Sequence, residues 1–140
     1  MSGPQVLSEA DVERETWVDP VRGDVGFRTI FGGDTTTCEF TAGVTDLEPG
    51  GWLGHHRHRP AEIYYVVHGA GALTIDGEDY AVTAGTAAYI PGNSEHGIRN
   101  TGDGPLRFFY VFAVGSFAEI EYRFTAQSGS PMINSDAVSR

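Results

Sequence analysis

The hydrophobic pattern of the chain is that of short strands separated by turns. From Gly26 onward apolar residues alternate with polar ones or form short runs, most clearly in Glu-Ile-Tyr-Tyr-Val-Val-His at 62–68. Asp76-Gly77 separates two such runs, and this pair predicts a tight hairpin because both positions favour φ > 0. The predicted strands are 27–31, 36–47, 62–68, 72–75, 80–83, 86–90, 97–100 and 106–114. Strands at intervals of about 8–12 residues predict an all-β sandwich or barrel.

The two ends of the chain lack this pattern. Residues 1–25 are polar and mixed, and we expect an irregular segment with one short helical turn capped by Ser8, with Asp11 at the capping-box position. The β-domain is predicted to span 26–126. Residues 127–140 are small and polar and are predicted to be a disordered tail. A length of 140 residues fits a single domain.

Composition excludes several classes of function. The net charge is -10, which argues against nucleic acid and anionic membrane surfaces as partners. All nine basic residues are Arg, so Schiff-base chemistry on a lysine is excluded. There is one cysteine and hence no intrachain disulfide, and no apolar run of about 18 residues that would span a membrane. With no signal peptide at the N-terminus, the expected location is cytoplasmic.

A cluster of histidines marks the candidate site. His56 and His58 are two apart, so in an extended chain their side chains reach the same point in space. Glu62 follows after a short bend, and His96 is a candidate fourth ligand from a separate strand. Imidazole and carboxylate together suit Fe, Mn, Ni, Zn or Cu. His55 has the opposite parity and is expected to face outward, and His68 is expected to be exposed at a turn.

The spacing of these residues resembles that of the two cupin motifs. The first reads Gly, five residues, His56, one residue, His58, three residues, Glu62, six residues, Gly; the second runs from Gly85 through Pro91 to His96 and Asn100. Asn93 stands where the family usually has Gly, and Asn tolerates the left-handed conformation best after Gly. The resemblance implies a single-domain cupin jelly-roll barrel around one divalent metal ion.

Two tyrosines narrow the chemistry. Tyr64 lies two residues after Glu62 on the same face, so its phenol is predicted near the metal, where a cation favours phenolate and makes it a usable base. Tyr122 is a second candidate. For each, the alternative is an ordinary packed tyrosine.

A closer resemblance runs from about Gly43 to Ala126. Residues 60–64, 89–96 and 117–122 are similar to the corresponding stretches of the small cupin dimethylsulfoniopropionate lyases of marine bacteria. This resemblance implies that a metal on His56, His58, Glu62 and His96 (Fe, Mn, Ni or Zn) binds the substrate carboxylate. It also implies that Tyr64 removes the α-proton, with Tyr122 as a supporting or alternative group.

The resemblance leaves other functions open. The same four ligands also serve cupin dioxygenases and polyketide cyclases or isomerases, and a non-enzymatic cupin that binds a small molecule is a further alternative. Four aromatic residues near the motifs in sequence are candidates for binding a sulfonium cation: Trp52, Phe40, Tyr110 and Phe112. The expected partners are a small-molecule substrate and a second copy in a homodimer, formed through sheet edges and N-terminal segments.

Overall fold

The computed structural model describes residues 3–33, 37, 39–125 and, for the backbone alone, 132–134. Two single 3₁₀ turns, Glu9–Asp11 and Phe117–Glu119, are the helical elements of this part of the chain. Everything else that is regular is β-strand, which confirms the all-β prediction. The strands are β1 (Glu15–Asp19), β2 (Gly23–Phe31), β3 (Thr41–Leu47), β4 (Trp52–Arg57), β5 (Glu62–His68), β6 (Ala70–Ile75), β7 (Glu78–Thr83), β8 (Ala87–Ile90), β9 (His96–Asn100), β10 (Leu106–Phe112), β11 (Arg123–Thr125) and β12 (Met132–Asn134).

The strands form one antiparallel sheet that curls around a common core. Its order is β7-β6-β9-β4-β2-β3-β10-β5-β8, with β1 beside β2 and β11 bridging β4 and β12. The inward side chains of all the long strands meet in one apolar cluster, in which Phe108, Phe112 and Phe124 are fully buried. Burying each such side chain stabilises the fold by about 1.5–3 kcal/mol.

Alternation along each strand sets which residues enter the barrel. In β5 the buried positions are Glu62, Tyr64 and Val66, and in β10 every second residue from Leu106 to Phe112 is buried. The β6–β7 hairpin turns at Asp76 and Gly77, with φ of 49° and 85° as the sequence predicts. A strand register that places Glu62 inside the barrel therefore also places Tyr64 inside it.

The N-terminal part is more ordered than its composition indicates. The Ser8 hydroxyl accepts a hydrogen bond from the Ala10 N–H at 3.3 Å, as predicted for the cap of a short turn. Strand β1, which was not predicted, pairs with β2 at five positions and turns Trp17 into the core. Among the described residues of the predicted strand 36–47, those from Thr41 onward form a strand. Residues 34–36 and 38, and nearly all of the predicted tail 127–140, lie outside the described residues.

No helix within the described ranges is long and apolar enough to cross a membrane.

Candidate metal centre

Strands β4, β5 and β9 bring the four predicted ligand residues together, β4 and β9 as paired neighbours and β5 from further along the curled sheet. His56 lies near the end of β4 and His58 just beyond it, while Glu62 begins β5 and His96 begins β9. One ligand atom from each lies within 4.8 Å of the others, and all four side chains are buried. The pairing of His56 with His96 across β4 and β9 brings the two sequence motifs into contact.

Backbone carbonyls orient the three imidazole rings. Nδ1 lies 2.6 Å from the Gly54 oxygen in His56, 2.9 Å from the Pro60 oxygen in His58, and 2.9 Å from the Ser94 oxygen in His96. A carbonyl oxygen only accepts hydrogen bonds, so Nδ1 must carry the proton in each ring. With Nδ1 engaged in this way, Nε2 is the ring nitrogen that faces the cluster and is left to bind a metal, which is the arrangement that metal-binding histidines use.

The carboxylate of Glu62 faces the Nε2 atoms of two of the histidines. Its Oε1 atom lies 3.1 Å from His96 Nε2 and 3.2 Å from His58 Nε2. The latter contact lacks hydrogen-bond geometry, and among the described residues His58 Nε2 has no hydrogen-bonding partner although it is buried. Where Nδ1 carries the only ring proton, these nitrogen lone pairs face the carboxylate, which is unfavourable in a dry site unless a proton or a metal cation lies between them. The donor set therefore fits a divalent transition metal ion.

The pKa shifts of the cluster keep these groups in the protonation states that a metal requires. Burial, followed by the neighbouring His96 and His58, lowers the pKa of His56 well below its usual value, so this ring is neutral. Burial raises the pKa of Glu62, but its contacts with the His58 and His96 imidazoles outweigh burial and lower the pKa of this carboxyl below its usual value. A neutral imidazole and an ionised carboxylate are the ligand forms needed at neutral pH.

Both candidate tyrosines line one cavity beside the cluster. The volume of the cavity is about 30 Å³, enough for a water molecule but well below the about 300–1,000 Å³ typical of small-molecule sites. The Tyr122 ring centre lies 5.3 Å from the rings of both His56 and His58, and the Tyr64 ring lies 6.1 Å from His96. The remaining wall is mostly aromatic and apolar: Trp17, Val25, Phe27, Thr45, Leu53, Phe108, Tyr110, Phe112 and Phe117.

The hydroxyl group of Tyr110 is held by a neighbouring side chain, and the pKa of Tyr64 is shifted by its surroundings. Tyr110 shares a hydrogen bond of 2.9 Å with the Thr29 hydroxyl, and a Cβ at Gly43 would stand only 2.6 Å from the Tyr110 oxygen. Burial, then the charge of Glu62 and the neighbouring tyrosines, raises the pKa of Tyr64 well above 10. Without a cation nearby, the Tyr64 phenol is therefore protonated.

The sequence predicted the four clustered residues, but it predicted only part of the cavity wall. Of the four aromatic residues considered, Tyr110 and Phe112 line the cavity, whereas Phe40 is 54% exposed and Trp52 lines a groove on the outer surface. Trp17, Phe27 and Phe117 were missed because they lie far from both motifs in sequence. His55 and His68 are exposed, as predicted.

The loop before His96 depends on the residue that departs from the family pattern. Asn93 has φ of +66°, and its N–H donates a hydrogen bond of 2.8 Å to the His58 carbonyl oxygen. This bond joins the second motif to the first. The left-handed conformation costs most residues about 1–2 kcal/mol, and Asn and Gly adopt it more readily.

We expect Asn93→Ala to lower the melting temperature of the metal-free protein, because alanine gains nothing that offsets the strain of a left-handed backbone. Asn93→Gly is the matched control and should retain a near-normal melting temperature. Thermal unfolding followed by circular dichroism measures both. Equal melting temperatures for the two variants would contradict this explanation of the loop.

Comparison with known proteins agrees with this geometry. The sequence model of the cupin domain family matches residues 43–112, half of the chain, and the chain therefore belongs to the cupin family. Within that family it is 40% identical to dimethylsulfoniopropionate lyase DddW of Ruegeria pomeroyi over 126 residues, covering 89% of this chain and 82% of the relative. Both predicted resemblances are thus confirmed.

Two further similarities show how widely the fold is used. A 5-nitrosalicylic acid 1,2-dioxygenase from Bradyrhizobium is 33% identical over 108 residues, covering 77% of this chain and 52% of the relative. The polyketide cyclase RemF from Streptomyces resistomycificus superposes with a TM-score of 0.70 at 21% identity, covering 94% of this chain and 85% of the cyclase. At that identity the superposition shows the shared fold alone.

Proposed function

We propose that the chain is a metal-dependent carbon–sulfur lyase that splits dimethylsulfoniopropionate into dimethyl sulfide and acrylate by β-elimination. The observation that carries the proposal is that both tyrosines line one aromatic cavity together with His56 and Glu62 of the metal-binding cluster. The 40% identity to a dimethylsulfoniopropionate lyase over most of both chains supports the choice of substrate.

We assign His56, His58, Glu62 and His96 as the ligands of one divalent ion, with Fe, Mn, Ni or Zn as candidates. When bound there, such an ion supplies Lewis acidity to the substrate carboxylate and stabilises the negative charge that develops as the α-proton leaves. The contribution of the protein is the fixed tautomer of each imidazole, because the three Nδ1 hydrogen bonds prevent the rings from turning away.

Tyr64 is assigned as the base. The phenolate oxygen takes the proton from the α-carbon, and the electron pair of that C–H bond forms the carbon–carbon double bond. The bond between the β-carbon and sulfur breaks, sulfur keeps its electron pair, and neutral dimethyl sulfide leaves acrylate behind. A divalent ion held by His56, His58, Glu62 and His96, together with the sulfonium of the substrate, would lower the pKa of the phenol and oppose the upward shift caused by burial and Glu62.

Tyr122 has a supporting role in this proposal. Its ring packs against the rings of His56 and His58 and stacks on Phe124 at an interplanar angle of 12°. The Tyr122 ring therefore lies directly against two of the candidate ligands. It can then restrain the ligand rings or take the proton in place of Tyr64.

The aromatic wall suits the cationic half of the substrate. A sulfonium ion loses hydration on entering the cavity, and contact with the faces of aromatic rings recovers part of that loss. Trp17, Phe27 and Phe117 supply such rings, and their apolar edges suit the two methyl groups. Excluding water also strengthens the electrostatic effect of the ligand cluster on the reacting carboxylate.

Headspace detection of dimethyl sulfide from purified protein tests the function. Protein loaded separately with Fe, Mn, Ni or Zn is given dimethylsulfoniopropionate. Dimethyl sulfide and acrylate are then measured in the same reaction. We expect both products in equal amounts with at least one metal and neither after chelation. Absence of sulfide with every metal would refute the lyase and leave only a metal-binding cupin.

An oxygen-dependent reaction is the second candidate, favoured by the 33% identity to a 5-nitrosalicylic acid 1,2-dioxygenase. An oxygen electrode separates the two, because the dioxygenase consumes one molecule of oxygen per turnover whereas elimination proceeds equally well under anaerobic conditions.

A further inference from the structure

A second pocket lies on the outer side of residues 117–123, a segment that we call the partition. Phe117 and Tyr122 of the partition line the inner cavity beside the ligand cluster. Three charged residues of the same segment are exposed and line a pocket on its other side: Glu119, Glu121 and Arg123. The partition therefore separates an inner cavity from an outer pocket.

The outer pocket is large enough for a small organic molecule, whereas the inner cavity is not. The volume of the outer pocket is about 280 Å³, close to the lower end of the about 300–1,000 Å³ typical of small-molecule sites. The inner cavity, at about 30 Å³, has room for a water molecule. A substrate therefore fits first against the outer side of the partition, and it reaches Tyr64 only when the inner cavity widens.

The wall opposite the partition comes from the loops that carry the two metal-binding motifs. It consists of His58, Arg59, Pro60 and Asn93. The Asn93 N–H donates a hydrogen bond of 2.8 Å to the His58 carbonyl oxygen, so this wall is held together across both motifs. The outer pocket thus lies against the loop that positions one of the candidate ligands.

Two guanidinium groups and two carboxylates line the outer pocket. They belong to Arg59, Arg123, Glu119 and Glu121, so these charges balance in a chain whose net charge is -10. Arg123 lies 3.8 Å from Glu121, and half of each side chain is exposed. Exposed ion pairs of this kind contribute little to stability, so both groups can exchange each other for a charged ligand.

We propose that the outer pocket receives a small zwitterion, a molecule with one carboxylate and one onium cation, before it enters the inner cavity. Arg59 and Arg123 attract the carboxylate, and Glu119 and Glu121 attract the cation. A simple anion or a simple cation gains only one of these attractions and meets the opposing charges as well. Naming dimethylsulfoniopropionate as the zwitterion rests on the proposed function, whereas the preference for a balanced pair of charges does not.

The outer pocket acts on capture of the substrate and not on the chemical step. None of the four charged residues lines the inner cavity that contains Tyr64. One exposed charge pair changes an equilibrium by at most about fivefold. Removing two like charges should therefore weaken binding by about 5–20-fold and lower kcat/KM by the same factor, with kcat within about twofold of the wild type.

Saturation-transfer NMR on the metal-free full chain measures binding without turnover. The probe is dimethylsulfoniopropionate, whose methyl protons report contact with the protein. We expect saturable binding to the wild type, and binding about 5–20-fold weaker in the double variants Glu119→Gln/Glu121→Gln and Arg59→Gln/Arg123→Gln. Acrylate, which has only the carboxylate, and trimethylsulfonium, which has only the cation, should each bind several-fold more weakly than the zwitterion.

Glu13→Gln/Glu48→Gln is the matched control. It removes two exposed carboxylates that line neither the inner cavity nor the outer pocket, and it should bind the zwitterion as the wild type does. Circular dichroism confirms that each variant is folded. Wild-type binding in both folded double variants overturns the proposal, as does an equal loss in the control. Acrylate or trimethylsulfonium binding as tightly as the zwitterion also overturns it.

Turnover by the metal-loaded protein separates this proposal from the lyase assignment. Zwitterion binding that depends on the four charged residues, in a protein that releases no dimethyl sulfide, refutes the lyase and supports the outer pocket. Release of dimethyl sulfide with an unchanged kcat/KM in both folded double variants refutes the outer pocket and leaves the lyase standing.

Discussion

Tyr64→Phe is expected to give a folded, metal-loaded protein whose elimination rate is lower by about 10²–10⁴-fold, the usual effect of losing a general base. Phenylalanine keeps the ring against Phe108, from which it lies 4.3 Å between centres, so packing is preserved. The substitution removes only the oxygen that accepts the proton. Release of dimethyl sulfide under saturating substrate measures the rate, and elemental analysis measures the metal.

The cavity provides two matched controls for this experiment. Tyr110→Phe removes a hydroxyl from the same cavity, but that hydroxyl is held by Thr29, so the expected effect is a loss of about 1 kcal/mol of stability with turnover nearly unchanged. Tyr122→Phe tests the alternative base. If Tyr122→Phe abolishes turnover with full metal content while Tyr64→Phe is near normal, the two roles are reversed.

A structural role for Tyr64 would give a different result. Loss of a packed hydroxyl would change stability modestly and leave the rate close to that of the wild type. The Michaelis constant is informative as well, because a pure base contributes to the chemical step and not to ground-state binding. A large rise in the Michaelis constant with an unchanged turnover number would assign Tyr64 to substrate binding.

The parts of the site that could be predicted from sequence are those set by local spacing. His56 and His58 share a face because they are two apart on an extended chain, and Tyr64 follows Glu62 into the barrel by the same alternation. The Asp76-Gly77 turn and the left-handed Asn93 are also local, since each depends on the φ preference of one or two residues. These features need no knowledge of distant contacts.

The cavity wall could not be predicted because it depends on pairings between distant segments. Trp17 is the one buried residue in a short polar stretch, and its inward position follows only from the pairing of β1 with β2. Phe124 reaches the ligand cluster because β11 pairs with β4 opposite His56. Such contacts have no periodic signature in the chain.

The geometry of the metal-free cluster leads to a prediction that does not depend on activity. Lone pairs of buried nitrogens converge on the ionised Glu62, and His58 Nε2 lacks a hydrogen-bonding partner among the described residues. A bound cation relieves this repulsion in the folded state alone. Because a ligand that binds only the folded protein stabilises it by RT ln(1 + [L]/Kd), metal at a hundredfold excess over Kd should add about 2.7 kcal/mol.

His56→Ala is expected to abolish this stabilisation and to leave little or no metal after purification. Removing one ligand of four weakens binding directly and leaves the other rings less well organised. His55→Ala is the matched control: it removes the neighbouring imidazole, which faces solvent, and should keep both the metal and the metal-dependent rise in melting temperature. Elemental analysis and thermal unfolding with and without added metal measure both properties. One metal ion per chain in folded His56→Ala protein, or equal loss in His55→Ala, would show that the ligand set is not the one assigned.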